Sequence, residues 1–126
     1  MKVRIYYHHT DCGKVVYYAT YLQFLEEART EFLKARGIDI RELIKHDRLF
    51  VVAHQEVDYR APAGYGDILD ISTKLARVRG VRLNLEHVVK REDGTVVVEA
   101  KTTLALIDRG FKPQPLPEEL IQKLEG

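Results

Sequence analysis

The sequence is short of several things, and each shortage removes a class of protein. It has one cysteine, Cys12, in 126 residues. A single thiol closes no intramolecular disulfide and makes no cysteine-based zinc cluster by itself. No apolar run approaches the ~18–20 residues that span a bilayer, so no membrane span is expected. The opening MKVRIYYHHTDCG has neither the apolar stretch nor the small-residue cleavage site of a secretory signal, which points to a cytoplasmic protein. Charge of one sign is not in excess: 20 Lys and Arg stand against 19 Asp and Glu, for a net charge of +1. A dedicated nucleic-acid binder carries a basic surplus, so nucleic acid is not an expected partner. No repeat, low-complexity tract or linker-like stretch divides the chain. What is present suffices for a core: 45% of the residues are hydrophobic and 31% charged. The length is that of one ordinary domain, so residues 1–126 are expected to form a single unit.

Periodicity supplies the elements. Residues 2–7, KVRIYY, read as a short strand, and the polar stretch 8–14 with Gly13 as a loop. Tyr21, Phe24, Leu25, Ala28, Phe32 and Leu33 recur at three- and four-residue spacings, which predicts an amphipathic helix over about 17–36. Gly37 suits its C-terminal stop. Asp39 is placed to cap a short second helix through about His46, with Glu42 completing a capping-box pattern. The period then changes to two. Residues 49–59, 68–78, 81–91 and 95–108 read as strands, with RAPAGYGD at 60–67 as a turn and Asp93-Gly94 as a hairpin signal. Pro117 begins a short amphipathic tail helix. The expected architecture is α+β: four consecutive strands in an antiparallel meander, with one apolar face covered by the long helix.

Two segments carry chemistry. Residues 6–30 hold Tyr7, Thr10, Asp11, Gly13, Tyr21, Glu26, Ala28 and Arg29. Residues 57–67 hold Tyr59, Pro62, Ala63, Gly66 and Asp67. Taken alone, a loop aspartate ahead of a helix reads as a cap for backbone N–H groups. In this combination, the two segments resemble the signature of the hotdog-fold acyl-CoA thioesterases, in particular the 4-hydroxybenzoyl-CoA thioesterase family and its Tol-Pal-associated relatives. Gly13 lies one position earlier than in that signature, and Thr20 stands where relatives often have Asn. The resemblance covers most of the chain and implies a hotdog fold, an antiparallel sheet wrapped around a long central helix.

The resemblance also implies an activity and a site. Asp11 becomes the expected catalytic carboxylate, attacking a thioester carbonyl or activating a water; either role needs its ionised form. The start of the long helix becomes the oxyanion hole, because its first N–H groups are free and its dipole is positive there. By position that donor is the N–H of Tyr18. The Tyr18 side chain either lines the acyl pocket or packs, and His replaces it in some relatives, so no His-assisted step is expected. Tyr7 matches a family tyrosine beside the loop, which makes it a candidate catalytic residue; alone it reads as a strand aromatic. Tyr17, Tyr18, Phe24, Phe50 and Tyr59 are candidate pocket walls. Arg77, Arg79 and Arg82 flank a turn at Gly80 and form a candidate site for the phosphates of CoA, or else a solvated hairpin with edge-protecting charges. The charged residues of the long helix, Arg29 among them, read as solvent-facing or interface positions. His54 and His87 read as hydrogen-bonded polar residues in strands. His8 and His9, at a strand end, point to opposite faces and so make no metal site; neither metal nor cofactor is expected. The expected partners are an acyl-CoA substrate and further copies of the chain, as a homodimer or homotetramer. Two other functions remain open at this point. One is an acyl-thioester dehydratase or hydratase, which needs a paired His that is not convincingly placed. The other is a non-catalytic acyl-CoA-binding or complex partner.

Overall fold

The computed structural model describes all 126 residues. In chain order the elements are β1 (Lys2–Arg4), β2 (Thr10–Asp11), β3 (Val15–Val16), α1 (Thr20–Ala35), α2 (Ile40–Lys45), β4 (Leu49–Tyr59), β5 (Ile68–Arg79), β6 (Arg82–Arg91), β7 (Val96–Ile107) and α3 (Glu118–Glu125). The main sheet has the order β1-β5-β6-β7-β4 and is antiparallel throughout. Register shifts at Val52/His54, Leu75/Arg77 and Val89/Lys90 interrupt its ladders. Each extra residue bends its strand and increases the local twist, which curls the sheet about α1. This is the α+β, hotdog-like arrangement expected.

Two expectations are corrected. The meander is three strands, not four: β4 pairs with β7 at the far edge and not with β5. Residues 60–67 are therefore a crossover from one side of the sheet to the other. Alternation shows that a strand has one buried face, but carries no information on its neighbours. The first strand also ends early. Tyr7–His9 form a 3-10 turn, and β2 and β3 pair into a small hairpin of their own.

The helix α1 begins at Thr20, later than predicted, and ends as predicted. Gly37 takes φ +77°, its N–H donates to the Lys34 carbonyl at 3.0 Å, and the Ile38 N–H donates to the Leu33 carbonyl at 2.9 Å. That is a Schellman closure, with Leu33 and Ile38 buried together. Asp39 caps α2 by accepting the Arg41 N–H at 2.9 Å. Glu42 does not complete a capping box; its carboxylate pairs with Lys45 at 3.1 Å.

The helix-facing side of the sheet reads in rows across the strands. Ile71, Val89, Val98 and Tyr59 share one row, Thr73, His87, Ala100 and Val57 the next, and Leu75, Leu85, Thr102 and Gln55 a third. The apolar core is correspondingly split into two clusters. One gathers Leu25 and Ala28 of α1 with Ile71 and Val89, the other Phe32 and Leu33 with Leu83 and Leu85. Polar residues in the second and third rows are hydrogen-bonded inside this core. The Thr73 hydroxyl meets His87 Nδ1 at 2.9 Å, and the Thr102 hydroxyl donates to the Gln55 amide oxygen at 2.8 Å.

Candidate active site

The loop that carries Asp11 is a tight hairpin. Thr10 faces Val16 and Asp11 faces Val15. Between them Cys12 and Gly13 take φ +53° and +73°, and the Lys14 N–H donates to the Asp11 carbonyl at 3.2 Å. Two successive positive φ values are the type I′ pattern, whose twist matches a short antiparallel pair. The Thr10 hydroxyl braces the turn, donating to the Tyr7 carbonyl at 2.6 Å and accepting the Gly13 N–H at 3.0 Å. Asp11 is exposed, and its carboxylate makes no hydrogen bond or ion pair within the chain. Tyr7 has its exposed ring against Gly13 of this turn.

The start of α1 is held beside this hairpin. The Tyr17 N–H donates to the His9 carbonyl at 3.0 Å, and the Val16 N–H to the Ala63 carbonyl at 2.8 Å. The Tyr59 hydroxyl donates to the Tyr18 carbonyl at 3.0 Å. The N–H groups of Tyr18 and Ala19 have no acceptor in the chain, and Ala19 offers the helix no side-chain cap. Tyr17 lies close enough to feel the loop charge. The Tyr18 hydroxyl is the main cause that raises its phenol above the ordinary value, and Asp11 is a lesser one. Free carboxylate and free helix N–H groups therefore occupy one end of the molecule, among the exposed rings of Tyr7, Tyr17, Tyr18, Tyr59 and Tyr65.

Other predicted residues fall differently. Phe24 is buried in the core, and Phe50 lies at the opposite end of β4 from Tyr59. Arg77, Arg79 and Arg82 are exposed at the β5–β6 turn, with Arg79 directly across from Arg82 and none of them in an ion pair. They are at the β5–β6 turn, the end of β5 remote from the crossover and the Asp11 hairpin, and a twelve-residue strand is about 35 Å long. His8 and His9 are not splayed on a strand. They share the 3-10 turn with ring centroids 4.0 Å apart, and His9 is pushed down by burial and by the His8 charge. Arg29 is half-buried in the single chain, and burial lowers its ordinarily very high pKa. His54 is exposed against Glu56 at 3.3 Å, while His87 is buried with Nε2 unbonded. A cavity of about 460 Å³ lies between α2 and α3 beside Leu43, Leu106 and Leu120, and contains none of the predicted site residues.

Sequence reasoning missed Arg91. Its Nη1 donates to the Pro62 carbonyl at 2.8 Å and so clamps the crossover that supports the loop. The available signal was a charge at the next position of the apolar series Leu83, Leu85, His87, Val89.

Residues 5–124 match the family described as the thioesterase-like superfamily. The chain belongs to this family. It is 35% identical over 124 residues to the acyl-CoA thioester hydrolase YbgC of Escherichia coli O6:H1, covering 98% of this chain and 92% of the relative. It is 37% identical over 127 residues to the long-chain acyl-CoA thioesterase FadM of Escherichia coli K12, covering 99% and 94%. Among solved structures, a probable thioesterase from Bartonella henselae superposes with a TM-score of 0.86 at 35% identity, covering 93% of this chain and 97% of that one.

Proposed function

We propose that this chain hydrolyses an acyl-CoA thioester to the free acid and CoA. The observation that carries the reading is the juxtaposition of an unpaired loop carboxylate, Asp11, with the unbonded N–H groups of Tyr18 and Ala19. Family membership and the printed activities of YbgC and FadM support it. In one route Asp11 attacks the thioester carbon, the thiolate leaves, and water then cleaves the acyl-aspartyl anhydride. In the other Asp11 takes a proton from water, the hydroxide adds to the carbonyl, and the tetrahedral intermediate expels the thiolate. Both place negative charge on the former carbonyl oxygen, which the Tyr18 N–H and the helix dipole stabilise. No step calls for a metal or cofactor.

The reading includes a second copy of the chain, as a homodimer or as a homotetramer assembled from dimers. The eleven residues of β4 have a strand partner on one side only. Its helix-facing residues Val52 and Tyr59 are left 46% and 48% exposed. A long edge of this kind pairs readily with an identical strand. Antiparallel self-pairing reverses the partner end for end, so the arginines of one copy lie at the Asp11 end of the other. Arg77, Arg79 and Arg82 thereby become phosphate contacts for the CoA bound across the interface. The chain acts as one cytoplasmic unit in this reading.

The test is free-thiol release from a panel of aliphatic and aromatic acyl-CoAs. Wild type is expected to turn over at least one of them, and Asp11→Asn to lose about 10²–10⁴-fold in rate with its far-UV spectrum unchanged. Binding of acyl-CoA without thiol release by either protein would overturn hydrolysis in favour of a carrier role.

A further inference from the structure

We propose that Phe111 completes the acyl site of the neighbouring subunit, acting in trans as the residue that closes it from water and sets the acyl group accepted. The inference rests on the pairing of two copies through β4 described above. Phe111 is 77% exposed, more than any other large hydrophobic side chain that the surface leaves open. It also takes φ +62°. A left-handed conformation is strained for a non-glycine residue. The chain thus holds a phenyl ring in water on a strained backbone, although a glycine stands one position earlier.

The turn that presents this ring is braced. Asp108 Oδ1 accepts the N–H groups of Gly110 at 2.8 Å and Lys112 at 3.0 Å, and Oδ2 accepts the Gln114 side-chain amide at 3.0 Å. The Asp108 N–H donates to the Lys112 carbonyl, and the Phe111 N–H to the Asp108 carbonyl, both at 3.0 Å. Asp47, ahead of β4, accepts the Arg109 N–H at 2.9 Å and ties the turn to the start of that strand. Within its own chain, Phe111 gains no burial from this construction.

Position supplies the purpose. Ile107, just before the turn, pairs with Leu49, the first residue of β4; Tyr59 is the last. When two β4 strands pair antiparallel over their full length, Leu49 of one copy lies beside Tyr59 of the other. The turn then stands about 10 Å, two strand spacings, from the end of the other copy's β4. That end carries the exposed rings of Tyr17, Tyr18 and Tyr59 and the free carboxylate of Asp11. An aromatic side chain offers large apolar area for little lost rotamer freedom, which suits it to wall an acyl group there.

Two experiments test the proposal. Phe111→Gly relieves the strained φ, so its melting temperature should equal or exceed that of wild type. Its kcat/KM on the preferred acyl-CoA should fall about tenfold or more, with a changed order of preference along the acyl panel, and Phe111→Leu should recover most of the loss. Co-refolding Phe111→Gly chains with Asp11→Asn chains should restore activity with the wild-type preference, because one site of the mixed dimer then has both residues. No restoration, or an unchanged profile for Phe111→Gly, overturns the proposal. The second experiment does not depend on turnover. p-Benzoylphenylalanine in place of Phe111 should photocrosslink two full chains through the segment with Tyr17 and Tyr18 or through Tyr59. Crosslinks confined to one chain overturn the assignment. Absence of thiol release by wild type would strike only the thioesterase reading, and the crosslink would still decide the seat of Phe111.

Discussion

Gly13 has no room for a β-carbon and the wrong backbone for one. A Cβ there would stand 2.9 Å from Tyr7 Cε2, at φ +73°. The ring can swing aside, but the backbone strain stays. Gly13→Ala is therefore expected to cost about 1–2 kcal/mol and to lower thiol release more than it lowers stability, because Asp11 directly precedes the loop that Gly13 shapes. Urea midpoints beside initial rates measure both. His87 offers a pH prediction. It is 1% exposed, and burial first, then the Arg29 charge, push it down from 6.5 to about 4. Between those values the unfolded chain binds a proton that the folded chain refuses. The contribution of neutral His87 is thus complete above pH ~6.5 and is lost as the pH falls towards 4. Wild type should lose about 2 kcal/mol between pH 7 and 4.5, and His87→Gln should flatten that slope. At this scale Asp11 was legible as a candidate, because a motif marks it. The brace supplied by the Thr10 hydroxyl was not, since hydrogen-bond partners follow from the turn and not from residue type.

At the scale of elements, the start of α1 matters through its backbone. The proposed oxyanion donor is the Tyr18 N–H, and its side chain is not required for that role. Tyr18→Phe should therefore keep most of the activity. Tyr18→Pro removes the N–H where no hydrogen bond within the chain is lost, and should reduce kcat about 10²–10³-fold with KM little changed. Equal losses in the two variants would refute the backbone assignment. Helix α1 was legible from Tyr21 to Gly37 because its apolar spacing and its glycine stop are local signals. Its first residues were not. Residues 15–17 instead pair back onto the 9–11 stretch, and Val16 also bonds Ala63 of the crossover, a residue distant in sequence.

At the scale of the whole molecule, the open edge of β4 sets the expected assembly. Val52 faces the helix side of the sheet from that edge and remains half exposed, so a charge there harms the lone chain little. Val52→Lys should shift the sedimentation coefficient towards a monomer and remove thiol release together with it. A monomeric wild type with full activity would refute the shared site. A dimeric variant without activity would place the fault in chemistry and not in pairing.

The amino-acid sequence by itself determined the class of the fold, the four long strands, the body of α1 and the candidate carboxylate. These depend on periodicity, on glycine and proline chemistry and on a contiguous motif, all local along the chain. The tertiary structure decided that β4 lies beside β7, that the arginines stand at the far end from Asp11, and that Phe111 is presented to water on a braced turn. Strand order and the distances between sites depend on where the crossover at 60–67 carries the chain. Alternation of apolar and polar residues is the same for a strand at the edge, in the middle or next to either neighbour.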